Sequence, residues 1–208
     1  MNFLTHLFFS TDSVDNTRGL IIGNTAKENH LSKYNLDILK GIALDMQISN
    51  FSEDNPAFNN SRQRINSKYL AFSSFLVNIF YDHLLAKNWD KYSTVSMEEF
   101  SGKIYETITT HRNSFPYKIR KFAPEMVRNK WIEGIKSIEG THQYINSISK
   151  NERFSKNLDQ ALFELTENYQ DYRNDFEEYF AALRKFMEGE ERRFRTITDE
   201  KEFVLLSA

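Results

Sequence analysis

The sequence predicts an all-α, single-domain helical bundle with a long C-terminal helix, and three observations predict it. Seven glycines and three prolines in 208 residues point to long helices and few tight turns. The run Tyr69–Trp89 contains neither residue type and is apolar on nearly every side, which suits a helix in the middle of a domain. Leu158, Leu162, Leu165, Tyr169, Tyr172, Phe176, Tyr179, Leu183 and Phe186 recur in steps of four and three, the spacing of a sustained helix seam. Its tyrosines fit a helix laid across a bundle better than a self-pairing zipper.

Taken in order, Phe3–Ser10 is a short apolar helix that turns Phe3, Leu4, Leu7 and Phe8 toward a core. His6 lies beside that face, where a histidine is more often a satisfied core residue than a ligand. Asp12–Asp15 offers N-cap residues for the segment Arg18–Glu28. In that segment Gly19 and Gly23, four apart, allow another helix to approach or mark a break, and Asn24 follows directly. Leu36–Ser49 is amphipathic through Leu36, Leu39, Ile42, Ala43 and Met46, with Asp45 and Ser49 one turn apart. Asn50–Pro56 is a turn cluster, and Ser61–Lys68 is a polar lead into the central helix. Ser96 and Glu99 form a capping-box pattern for a helix carrying Phe100, Ile104, Ile108 and His111, which Phe115-Pro116 stops. Trp131–Ser149 is a further helix, broken at Gly140. Gly189 is expected to end the long helix, leaving residues 1–189 as the domain and 190–208 as a charged tail.

Composition narrows the function. A net charge of −2 argues against a general nucleic-acid binder. With no cysteine, disulfide and thiolate chemistry are excluded. The most apolar run ends on Asp82 and His83, so it reads as core rather than a membrane span. The N-terminus lacks the basic segment of a signal peptide, so the expectation is a cytoplasmic protein with no membrane partner. No phosphate-cradling glycine loop, nucleophile elbow or zinc-type spacing is present.

Two groups of residues stand out. Asn78 and Asp82 are four apart, so a helix stacks them on one face, with His83 adjacent. An acid and an imidazole inside an apolar helix are costly unless paired, hydrogen-bonded or metal-bound. They either bridge neighbouring elements or form an acid-base or metal site. The second group is Arg112, Lys118, Arg120, Lys121, Arg128 and Lys130, set against a lone Glu125. It is either a solvated face or a dock for an acidic partner.

The polar residues in apolar places also follow a known order. The chain resembles the acyl carrier protein phosphodiesterase family, a divergent branch of the all-α HD phosphohydrolases. The resemblance rests on Met1-Asn2-Phe3-Leu4-Thr5-His6-Leu7, Gly-Leu-Ile-Ile-Gly-Asn at 19–24, Lys40-Gly41-Ile42, Phe-Ser-Glu-Asp-Asn-Pro at 51–56, Tyr81-Asp82-His83 and Trp89. Order and spacing hold over residues 1–185. The resemblance implies hydrolysis of the phosphodiester that joins 4′-phosphopantetheine to acyl carrier protein, with a divalent metal, manganese or magnesium, activating water. It implies His6, Asp82 and His83 as catalytic residues, and His6, Asp45, Asp82 and His83 around the ion. Several family positions are substituted. The family has Asp where this chain has Asn24, a His-Arg pair where it has Asp45-Met46, and Asp where it has Ser49 and Asn78. Three readings follow: a phosphodiesterase with a rearranged site; a catalytically impaired homologue without the ion that docks acyl carrier protein or another acidic partner through 112–130; and a hydrolase of another phosphoester.

Overall fold

In a computed structural model, which describes residues 3–23, 25, 28–151 and 158–198, every regular element among the described residues is helical. The fold is a single all-α domain, as the sequence predicts.

Helix α1 (Leu4–Leu7) is one turn, followed by α2 (Val14–Gly23) and α3 (Leu36–Asp54). Helices α2 and α3 form the closest pair in the fold, and glycine is the reason. A Cβ on Gly19 would lie 2.2 Å from Ile38 O and 2.8 Å from the Cα of Gly41, so only two bare backbones can approach this closely. Helix α3 runs past the expected Ser49, and the turn expected over Asn50–Pro56 contracts to Asn55 alone. That residue ends α3 and caps α4 (Pro56–Arg64), its side chain accepting from Phe58 N at 3.1 Å, with Pro56 at the first helical position.

The run Tyr69–Trp89 divides into a 3-10 turn (Ser67–Phe72), α5 (Ser73–Lys87) and the start of α6 (Trp89–Tyr92). Helix α7 (Met97–Thr110) starts at Ser96, whose hydroxyl accepts from Glu99 N at 3.1 Å, as the capping-box spacing predicts. Helices α8 (Tyr117–Arg128), α9 (Trp131–Gly134) and α10 (Ile138–Asn151) follow. The break expected at Gly140 falls earlier, at residues 135–137. Gly140 lies inside α10, where a Cβ would meet Gly134 O at 1.9 Å; its bareness lets α10 begin against the end of α9.

The C-terminal seam is carried by a 3-10 turn (Leu158–Ala161), α11 (Leu162–Glu167) and α12 (Tyr169–Thr196). All nine seam residues are buried or half-buried, although the helix breaks once, at Asn168. Helix α12 passes Gly189 without ending. Phe186 stacks on Phe51 at 4.9 Å, Phe194 and Ile197 are buried, and Lys40 Nζ donates to Ile197 O at 2.7 Å. The helix end expected at Gly189 is thereby corrected. Burial along α3 outweighs the roughly 1 kcal/mol that a mid-helix glycine costs. Residues 199–208 of the expected tail lie outside the described residues.

Helix α5 is the centre of the bundle and touches α1, α4, α6, α10 and α12. Its Tyr81 sits 5.7, 5.4 and 5.1 Å from the rings of Phe58, Phe176 and Tyr179. Two hydroxyls in this aromatic core find side-chain partners. Tyr179 shares a hydrogen bond with Ser52 (2.7 Å) and Tyr81 one with Ser61 (2.9 Å). Ser61 also donates to Asp175, which pairs with Arg64. These contacts fix the register of α12 on α3 and α4. No described helix is long and apolar enough to cross a membrane.

Candidate functional site

Two of the buried acids, Asp45 and Asp82, bond to residues of α1 and its N-terminal edge. Asp82, on α5, is 1% exposed and points at the N-terminus of that single turn. Its Oδ2 accepts from Phe3 N (3.0 Å) and Leu4 N (3.1 Å); its Oδ1 accepts from Thr5 N (2.7 Å) and Thr5 Oγ1 (2.6 Å). The first N–H groups of any helix lack intrahelical partners, and negative charge is favourable beside them. One carboxylate therefore holds a helix too short to persist alone. Four donors fill the roughly four acceptor positions of an ionised carboxylate.

His83 follows Asp82 but turns away from it, because successive residues on a helix do not share a face. Its Nδ1 donates to Ile135 O at 2.7 Å, beside the Thr141 hydroxyl, and its ring lies 6.0 Å from that of Tyr169. Burial pushes the imidazole's pKa below the ordinary histidine value, against the opposing effect of the Ile135 hydrogen bond. The carbonyl fixes the tautomer, leaving Nε2 buried without a hydrogen-bond partner.

His6 and Asp45 meet directly. His6 Nδ1 donates to Asp45 Oδ1 at 2.6 Å, with the side chains 2% and 4% exposed. The last turn of α2 presses on the same carboxylate: a Cβ on Gly23 would lie 2.5 Å from Asp45 Cβ and 2.6 Å from Oδ2. The close approach that the Gly19/Gly23 spacing predicts is thus used at Gly23 to seat a side chain.

The four residues expected around an ion are not one cluster. His6 and Asp45 face each other, Asp82 spends its oxygens on residues 3–5, and His83 faces Ile135. Among the described residues, no group of three or more His, Cys, Asp or Glu side chains could hold a metal ion. The expected convergence on a single cavity is corrected on this point. Manganese and magnesium favour about six oxygen or nitrogen donors. The donors here number two, already bonded to each other, so the residues present do not fit the ion. Of the substituted family positions, Met46 is 47% exposed, Ser49 and Asn78 are half-buried, and Asn24 lies outside the described residues. A cleft of about 660 Å³ opens elsewhere, over Phe8, Trp89, Phe100 and Thr107, and none of the four residues lines it.

The basic stretch lies on the outside. Helix α8 buries Ile119, Ala123 and Met126. Arg112, Lys118, Arg120, Lys121, Arg128 and Lys130 are all exposed, and no ion pair among the described residues involves them. Tyr117, 72% exposed, shares one stripe with Lys121, Pro124 and Arg128 at steps of four, three and four. Sequence reasoning found these charges and missed Tyr117, although its helical spacing to Lys121 was available as a signal. It also missed Thr5, whose partner is 77 residues away and leaves no local mark.

The family model for acyl carrier protein phosphodiesterase matches residues 1–183. A Photorhabdus laumondii protein named acyl carrier protein phosphodiesterase is 20% identical over 192 residues, covering 92% of this chain and 97% of the relative. A Yersinia enterocolitica protein of the same name is 19% identical over 184 residues, covering 88% and 95%. No solved structure matches. The chain belongs to the acyl carrier protein phosphodiesterase family.

Proposed function

We propose that this chain docks acyl carrier protein, the protein its relatives' names specify, and that it is impaired in removing the 4′-phosphopantetheine arm. One observation carries the reading: the acid and imidazole groups expected around an ion are each engaged by protein, at three separate places. A bound dication would supply water activation and shielding of phosphate charge. His6 and Asp45 by themselves provide neither the ligand number nor the access. Docking survives such a loss because it needs only a surface. The outward face of α8 offers cations to an acidic partner and Tyr117 as an aromatic anchor of the kind that dominates interface energies.

The test is incubation of the purified protein with holo acyl carrier protein and manganese. The expected outcome is an unchanged partner mass together with a complex that weakens as salt rises. Quantitative loss of the arm sinks the claim of impairment; absence of a complex at low salt sinks the docking. A second reading, a working phosphodiesterase with a rearranged site, is favoured by the short buried His6–Asp45 contact, since a carboxylate on Nδ1 orients an imidazole. In that case the arm is removed by the wild-type chain and retained with Asp45→Ala.

A further inference from the structure

We propose that His6 and Asp45 form a metal-free clasp, in which a shared proton takes the place of a dication and ties α1 to α3. The proposal rests on the reading that no ion is held here, and it adds what replaced the ion and what the replacement does.

His6 donates through Nδ1 to Asp45 Oδ1 at 2.6 Å. That nitrogen and that oxygen are therefore committed to each other, in a charge-assisted hydrogen bond whose length marks it as a strong one. One proton lies between the imidazole and the carboxylate, so each of these two atoms has its partner within the fold.

Magnesium and manganese sites of this type keep bound waters. Here the pair is 2% and 4% exposed, and the end of α2 packs so closely on Asp45 that position 23 has no room for a Cβ. A hydrated ion has no place beside it.

Helix α1 has four residues, and two acids from different helices grip it. Asp82 of α5 takes its backbone N–H groups, and Asp45 of α3 takes the His6 ring. The N-terminal turn is thus secured by side chains alone, so the fold has no need of an ion to hold it.

The experiment uses the full chain and no acyl carrier protein. Thermal unfolding in a chelator, in manganese and in magnesium should give one midpoint, and manganese titration should show no saturable binding. A rise of the midpoint with manganese, or stoichiometric manganese in the dialysed protein, overturns the clasp. Asp45→Ala and His6→Ala should each lower the midpoint, and the double variant should fall no further than the worse single one; strictly additive losses overturn it. A downfield imidazole N–H proton resonance should be present in the wild type and absent in Asp45→Ala; its absence from the folded wild type overturns the clasp even where the variants fail to fold. The outcomes separate from those for docking. Manganese binding without loss of the arm removes the clasp and leaves the docking reading intact. Loss of the arm with no manganese bound removes the claim of impairment and leaves the clasp intact.

Discussion

The corner around α1 and the outer face of α8 treat charge in opposite ways. In the corner, Asp45 and Asp82 are buried and answered within the fold, Asp45 by an imidazole and Asp82 by backbone N–H groups and a hydroxyl. On α8, six cations stand exposed, with no ion pair among the described residues. The difference teaches where each kind of residue acts. A buried acid costs too much to leave unanswered, so it serves the fold. A solvated cation costs almost nothing, so it stays available to another molecule.

Substitutions can break this contrast, and the largest effect is expected at Asp82. Asp82→Ala orphans three backbone donors and the Thr5 hydroxyl in one step. Removing a buried charged partner typically costs about 3–5 kcal/mol, so a loss on that order is expected from urea unfolding. A loss below about 1 kcal/mol, the scale of an ordinary surface change, rules out the anchoring role.

Gly23→Ala comes next. The added Cβ collides with the Asp45 side chain, so the carboxylate must move off His6 or the end of α2 must shift. The expected cost is about 1–3 kcal/mol, typical of overpacking. If the clasp is what the glycine protects, the cost largely vanishes when Gly23→Ala is made in an Asp45→Ala background.

His83 gives a smaller effect that depends on pH. Its pKa is lowered in the folded chain, with burial as the main cause. Below the ordinary histidine value of about 6.5, the unfolded chain takes up a proton that the folded chain refuses. Stability conferred by the neutral ring is therefore complete above about pH 6.5 and is lost as pH falls toward the lowered folded value. His83→Gln should flatten this part of the stability-pH curve. An unchanged slope assigns the pH dependence to other groups.

The smallest effect on the fold, and the sharpest test of the contrast, belongs to α8. Arg120→Glu with Lys121→Glu should change stability by no more than about 0.5 kcal/mol, because both side chains are solvated. The same pair of changes should weaken the complex with acyl carrier protein about tenfold or more at low salt and reduce its salt dependence. Equal binding by the reversed protein returns α8 to a merely solvated face.

Much of the fold was legible in the residues. The central apolar run, the nine-residue seam and the Ser96 cap are all local signals; the cap has its expected structure, and the run and the seam are buried as expected but are each divided among shorter helical elements. The misreadings were also local in kind. Gly140 and Gly189 read as breaks, but each lies inside a helix, since packing outweighs a propensity of about 1 kcal/mol. The site was less legible. That Asp82 and His83 would need partners followed from their apolar surroundings; which partners they take did not. Asp45 was expected beside an ion with His6; its direct hydrogen bond to His6 was not foreseen.

By itself the sequence determined the all-α class, the central helix, the seam and the single-sign surface on residues 112–130, because periodicity and charge are written between near neighbours along the chain. Only the tertiary structure decided who answers each buried polar group. His6 meets Asp45 across 39 residues, Asp82 meets Thr5 across 77, and His83 meets Ile135 across 52. Pairings at such separations are set by how helices cross and by where a glycine lets them approach, and no local pattern along the chain records that.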